Sequence, residues 1–349
     1  MVIFNFLCAV IENSIEELKK RLKTPQDIVI ITHRNPDGDA LGSSLALSLF
    51  LQQYFHKVDI ILPSDYPQSF GFLPQVEKCK VYDLEPELCL DTIKRASIVC
   101  CLDFNSLDRI DKMGESVGAS NAFKVLIDHH MHPEPFADYT LSETTASSTC
   151  ELIYTFIELL GETKRISEDI ATAMFTGLIT DTGSFKYATT DRTFEVAANL
   201  KRHGVDDYSL QDKIFNTYSE KQMRLLGHCI YNRMEILPEY HTGIITLTKA
   251  DYEEYSIERG DTEGIVNYLL MLDGIKVAAF ITEQPTIVKL SLRSKGDFSV
   301  QEIASKHFKG GGHKNASGGS AYAKLSAVVD RFKSVLPQYA EKYFGTESK

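Results

Sequence analysis

The sequence predicts an α/β protein: a mostly parallel, doubly wound N-terminal sheet, a helical linker and a smaller C-terminal α/β domain. Two observations carry that expectation. Short β-branched runs alternate with helix-length runs of periodic apolar residues along the first half. The 349 residues also exceed what one ordinary core accommodates and suit two domains. The expected boundaries are 1–195 for the first domain, 196–230 for the linker and 231–349 for the second.

In chain order, Met1 to Val10 (MVIFNFLCAV) is apolar but has no basic leader and no small-residue cleavage site. It passes into IENSIEELKKRL and is read as the first turns of a docked helix rather than a signal peptide. DIVIITH (27–33) is a strand, ALGSSLALSLFLQQY (40–54) a helix and HKVDIILP (56–63) a second strand. SIVCCLD (97–103) and KVLIDH (124–129) are two more strands, each closing on an aspartate or histidine. Helices are expected near 146–161, 167–180 and from about 191, followed by a charged helical connector with no strand signal. The second domain reads as GIITLT, a helix near 262–272, and paired strands KVAAFITEQ (276–284) and TIVKLSLRS (286–294). A helix from Ser299, a glycine-rich turn at 310–319 and a C-terminal helix complete it.

Composition narrows the function. The chain is 43% hydrophobic and 24% charged, as a globular protein should be, and no apolar run is long enough to span a bilayer. Seven cysteines occur without a C-x-x-C motif. Cys100 and Cys101 are adjacent in a strand and so face opposite sides of it. Buried, reduced thiols and a cytoplasmic location are the economical reading. With a net charge of -11 and no basic stripe, the chain lacks the surface that holds long DNA or RNA. A nucleic-acid substrate would have to be small and held locally, with no membrane partner. The oligomeric state is open, a homodimer being one assembly the sequence allows.

Open parallel sheets place reactive residues beyond the carboxyl ends of their strands. Here the first strand exits into T-H-R-N-P-D-G-D-A, supplying His33, Asp37 and Asp39. The next two end at Asp103 and at Asp128, His129 and His130, and the helix at 167–180 runs into Asp181. Taken singly, each has a bland explanation. N-P-D-G is a turn sequence with Asp39 as a good helix N-cap, Asp103 could cap the helix after it, and Asp181 sits in a D-T-G turn. Gathered in one cleft, Asp37, Asp39, Asp103 and Asp181 would repel each other and raise each other's pKa values. Two divalent cations offset their formal -4. Carboxylates mixed with imidazole, and no thiolate, suit Mn²⁺ or Mg²⁺ better than structural zinc. Two such ions roughly 3.5–4 Å apart can share and activate a water in line with phosphorus. Ser147 and Ser148, in TTASST, are read as helix N-caps.

H-R-N-P-D-G-D-A-L-G-S (33–43), Asp103, the D-H-H triplet (128–130) and D-T-G (181–183) resemble the motifs of the DHH phosphoesterase superfamily. S-L-R-S (291–294) and G-G-G-H-K-N-A-S-G-G (310–319) resemble its DHHA1 accessory domain. Together, over nearly the whole chain, the two resemble the bifunctional oligoribonuclease (nanoRNase)/pAp phosphatase subfamily. The resemblance implies that His33 and Asp37 hold one metal, that Asp39, His129 and Asp181 hold the other, and that Asp103 bridges them. It implies Mn²⁺ as the preferred ion, with Mg²⁺ admissible. His130 would face the substrate as phosphate ligand or proton donor, with Asp128 behind the ligands, orienting a histidine or the turn. The implied activity is hydrolysis of dimers to pentamers of RNA, or linear dinucleotides, to mononucleotides, and removal of the 3′-phosphate of pAp.

The G-G-G-H element needs its own reason, because glycine runs are entropically costly unless backbone approaches something closely. Gly311, Gly312 and His313, after a helix, are expected to form an anion cradle, with Arg293 and Ser294 beside it. In this reading Arg293 and His313 reach across a cleft between the domains to hold the end of the substrate that is not hydrolysed. Rival readings are a cyclic-dinucleotide phosphodiesterase, a manganese inorganic pyrophosphatase, a RecJ-type exonuclease and a non-catalytic nucleotide sensor. The pyrophosphatase family lacks the S-L-R-S and G-G-G-H elements, RecJ-type chains carry further domains, and a sensor would be expected to have lost a ligand.

Overall fold

The computed structural model describes residues 15–258 and 260–345. The expected helical turns over Met1–Val10 lie outside the described residues, and the chain is helical from 15 to 21. It divides into two compact units between Thr217 and Tyr218. That boundary falls inside the helical stretch 196–230, leaving helix Asp207–Phe215 in the first unit and Glu220–Asn232 in the second.

The first unit is built on six strands: β1 (Asp27–Thr32), β2 (Lys57–Leu62), β3 (Lys80–Val81), β4 (Ile98–Leu102), β5 (Phe123–Asp128) and β6 (Tyr139–Ser142). They are all parallel, in the order β3-β2-β1-β4-β5-β6. The order reverses between β1 and β4, and a sheet of this kind opens a crevice at the carboxyl ends of the strands where that happens. The central strands β1 and β4 read as near-continuous apolar runs because both faces are covered. Ile28, Ile30, Cys100 and Val125 face one core, closed by helices Gly38–Gln52, Thr149–Leu159 and Glu168–Asp181. Val29, Ile31, Cys101 and Leu126 face the other, closed by Pro86–Arg95 and Met113–Ala119. Cys100 and Cys101 thus lie on opposite faces as free thiols, and burial pushes Cys100 up to about 12.

The second unit is a mixed sheet of β7 (Met234–Leu237), β8 (Thr242–Leu247), β9 (Val277–Glu283), β10 (Val288–Ser294), β11 (Gly311–His313) and β12 (Ala316–Ala321). Their order is β11-β12-β10-β9-β8-β7, with only the β8–β9 pair parallel. Helices Val300–His307 and Leu325–Phe344 contribute to the core on one face, and Glu220–Asn232 and Ile265–Leu269 to that on the other. The segment expected as a glycine-rich turn is instead a β-hairpin, β11 paired antiparallel with β12. Two of its glycines answer to close packing. A Cβ at Gly310 would stand 2.0 Å from the Gly318 carbonyl oxygen, and one at Gly319 2.8 Å from Phe308 Cβ. Among the described residues, no helix is long and apolar enough to cross a membrane.

Candidate metal centre

The loop after β1 carries the first ligand candidates. Asp37 has an extended backbone and is the N-cap of helix Gly38–Gln52, its Oδ1 accepting from the N–H groups of Asp39 (3.0 Å) and Ala40 (3.1 Å). Its Oδ2 stands 3.9 Å from His33 Nε2. The bland reading of Asp39 as the cap of this helix does not hold: Asp37 is the cap and Asp39 lies in the first turn. Fully buried, its carboxylate accepts from Thr149 N–H (2.6 Å) and Cys150 N–H (2.9 Å) at the start of helix Thr149–Leu159. Asp39 thus satisfies the orphan amides of a different helix, where the positive end of the helix dipole favours an anion.

Asp103 leaves β4 with φ of +64°, a left-handed conformation rare for a residue with a side chain. It caps no helix, since Ser106 occupies the N-terminus of the next helical turn, Leu107–Ile110. Its Oδ2 lies 3.3 Å from His33 Nε2 and its Oδ1 3.5 Å from His129 Nε2. His129 follows β5, and its Nε2 also stands 3.3 Å from Asp181 Oδ2 and 4.0 Å from Asp39 Oδ2. Both histidines are oriented from behind. His33 Nδ1–H donates to the Arg34 carbonyl (2.9 Å) and His129 Nδ1–H to that of Ala146 (3.3 Å), which turns each Nε2 lone pair inward. Ligand atoms of His33, Asp37 and Asp103 lie within 4.8 Å of one another, and so do those of Asp39, His129 and Asp181. A third overlapping group joins Asp103 and His129 with His130.

Charge makes this cluster unusual. Burial first, then repulsion from Asp39 and Asp37, holds Asp103 well above the usual carboxylate range. Burial and the charges of Asp39 and Asp103 do the same to Asp181. Burial also raises Asp39, although His129 pulls the other way. Imidazoles, backbone amides and the Thr149 hydroxyl are the partners of these acids, so cationic charge is what the site lacks. Carboxylate oxygens with inward-facing imidazole nitrogens are a donor set that fits divalent metal cations. Beside them, His130 Nδ1 is 2.7 Å from Asp128 Oδ1, and that bond raises the histidine's pKa against the opposing effect of burial.

The C-terminal candidates are placed differently. Arg293, on β10, is half-buried and donates to the Leu292 carbonyl (3.0 Å), and burial lowers its pKa from the ordinary guanidinium value. Gly311, Gly312 and His313 are exposed on β11. Ser294, expected beside Arg293 as a substrate contact, is buried. Its hydroxyl donates to the Phe298 carbonyl (2.6 Å) and accepts from the Asn315 amide (2.9 Å), which ties the end of β10 to the segments around Phe298 and Asn315.

The pattern of the DHH family's N-terminal domain matches residues 27–178, and that of the DHHA1 domain matches residues 242–342. A Thermus thermophilus protein named bifunctional oligoribonuclease and PAP phosphatase NrnA is 30% identical over 305 residues, covering 87% of this chain and 86% of its own. The chain belongs to the DHH family. It is a phosphoesterase, a hydrolase of phosphate esters. A solved exopolyphosphatase-related protein from Bacteroides fragilis has the same fold throughout, with a TM-score of 0.91, 37% identity, and coverage of 95% of this chain and 97% of that one. The cyclic-di-AMP phosphodiesterase PdeA of Listeria monocytogenes is 26% identical over 95% of this chain, which spans 48% of that protein.

Around the DHH cluster stand residues that the motifs alone did not single out. Arg34 reaches Asp83 (2.7 Å) and Asp111 (2.7 Å), and its N–H donates to the Arg109 carbonyl (3.1 Å), tying together the loops after β1, β3 and β4. A Cβ at Gly177 would stand 2.5 Å from Asp39 Oδ1 and 2.3 Å from Cys150 Sγ, so only glycine lets helix Glu168–Asp181 approach Asp39 this closely. Thr149 donates its hydroxyl to Asp103 Oδ1 at 2.9 Å. The contacts of Arg34 with Asp83 and Asp111, and of Thr149 with Asp103, join positions far apart in the chain, which no local pattern reveals.

Proposed function

We propose that this DHH protein hydrolyses short oligoribonucleotides and small nucleotides, from dinucleotides to pentamers and pAp, with two divalent cations, Mn²⁺ by preference. The observation that carries the reading is the meeting of two ligand groups at one carboxylate, with Asp103 turning one oxygen toward His33 and the other toward His129. In this assignment His33, Asp37 and Asp103 hold one ion, and Asp39, His129, Asp181 and Asp103 the other. Bound there, the cations supply positive charge against the phosphoryl oxygens and make a water acidic enough to attack phosphorus. His130, whose Nδ1 bonds Asp128, is the residue assigned to the substrate, as phosphate ligand or as proton donor to the leaving oxygen. In the DHHA1 domain, Arg293, Ser294, Gly311, Gly312 and His313 are the residues assigned to substrate binding, Arg293 through its two-pronged guanidinium. Local capture of this kind suits an acidic chain acting on small anions in the cytoplasm.

The relative that acts on cyclic-di-AMP gives a second reading, since linear and cyclic dinucleotides present the same phosphodiester. The test is a panel of pAp, pApA, a cyclic dinucleotide, a pentamer, a 24-mer and pyrophosphate, each with added Mn²⁺. Turnover of pApA, the pentamer and pAp above the cyclic dinucleotide, the 24-mer and pyrophosphate supports the proposal. Preference for the cyclic dinucleotide replaces it with the second reading, and preference for pyrophosphate or the 24-mer overturns both.

A further inference from the structure

The geometry points to Thr149 as the positioning residue that holds the two halves of the metal centre in register, an inference that rests on the two-cation reading. Two separate groups of this one buried residue reach two different acids. Its N–H donates to Asp39 Oδ2 at 2.6 Å, across 110 positions of sequence, and its hydroxyl donates to Asp103 Oδ1 at 2.9 Å, across 46. The helix does not need that hydroxyl for its own start. Ser148 is the N-cap and accepts from Glu151 N–H (3.1 Å), while the Glu151 carboxylate accepts from Ser147 Oγ (2.6 Å) and Thr193 Oγ1 (2.9 Å). The hydroxyl therefore serves Asp103.

What it does there follows from the bond it makes. Asp103 faces both ligand groups with its oxygens divided, Oδ2 toward His33 and Oδ1 toward His129, and it would serve both ions in that orientation. The left-handed backbone at Asp103 aims the side chain into the crevice but leaves the carboxylate plane to be set by a partner. Thr149 binds Oδ1, the oxygen on the His129 side, and through the same residue's amide fixes Asp39, which belongs to the His129 group. Without the hydroxyl, Asp103 Oδ1 loses its donor while Asp39 keeps its own. The loss should fall on the His129 site and on the bridge, and spare the His33 site.

The experiment is a calorimetric titration of Mn²⁺ into the full chain as wild type, Thr149→Val and Thr149→Ser, with electron paramagnetic resonance at two equivalents. Valine keeps the shape and the N–H but removes the hydroxyl, and serine restores it. Wild type should take up two ions that give the spectrum of a coupled pair. In Thr149→Val one site should weaken by about 10–100-fold while the other stays within about twofold, and the coupled spectrum should fade. Thr149→Ser should match wild type. If valine does not fold, Thr149→Cys, a similar size with a poorer donor, is titrated with the same expectation. Two wild-type affinities with a coupled spectrum in the valine protein overturn the inference and leave the two-cation reading standing. Equal weakening of both sites with a lowered Tm overturns it as well, in favour of a purely structural threonine. Uptake of fewer than two ions by the wild type removes the underlying reading, and the inference with it.

Discussion

The two sheets of this chain use their unusual residues in opposite ways. At the carboxyl edge of β1, β4 and β5, acids are buried against one another with raised pKa values, an arrangement that costs free energy unless cations complete it. On the β11–β12 hairpin Gly311, Gly312 and His313 are exposed, and Gly310 and Gly312 are accounted for by close approach of the hairpin backbone. A buried, unbalanced cluster constrains its chemistry tightly, because few ligands satisfy it. An exposed hairpin constrains it far less, so what the second domain does has to be read from substrate dependence.

The largest effects should come from the first region. Asp103→Ala or His129→Ala should lower kcat on a labelled RNA dimer by about 10³-fold, the upper range for removing one preorganised charge-stabilising group. Near-normal turnover by either variant would break the comparison at its stronger end. The second region should show smaller losses, in another parameter. Arg293→Ala and His313→Ala should each raise KM for a dinucleotide by about tenfold, as expected for one charge-assisted hydrogen bond, with Mn²⁺ affinity unchanged. Unchanged KM in both would leave Arg293 and His313 without a part in substrate binding.

A pH series sharpens the contrast. Raised pKa values at Asp39, Asp103 and Asp181 mean that the metal-free fold favours their protonated forms. That contribution to stability is present below the ordinary carboxylate pKa and is lost as pH rises through the raised values. Cations must displace the same protons, so the Mn²⁺-induced gain in Tm should grow between about pH 5 and pH 8. A gain that is flat across that range would show the acids already ionised without metal. The smallest expected effect is at Gly311, where an added Cβ meets nothing within 4 Å. Gly311→Ala should leave Tm unchanged, whereas Gly310→Ala, driven into the Gly318 carbonyl, should lower it clearly. A KM change in Gly311→Ala at constant Tm would show that the exposed backbone touches substrate.

Much of the architecture could be read directly from the chain, for physical reasons that also explain the gaps. β1, β2, β4 and β5 are apolar runs of five or six residues, long enough for their pattern to show. β3 has two residues, while β6 and β7 are four-residue edge strands with partly exposed side chains, too short to display a period. The acids and histidines of the cluster stood out because strand ends of a parallel sheet converge. Which carboxylate caps which helix did not, since Asp39 serves a helix 110 positions away. Thr149 and Gly177 were hidden for the same reason: their roles lie in contacts that exist only once the helices have packed.

The contact between Gly177 and Asp39 bears on attempts to make the enzyme sturdier. Replacing helical glycines by alanine is a standard route to a higher melting point, worth about 0.5–1 kcal/mol at a neutral position. Gly227, where a new methyl would meet open space, invites that change. The same edit at Gly177 would press a methyl group onto Asp39, so a variant library scored only for heat resistance would have to treat these two look-alike positions as opposites.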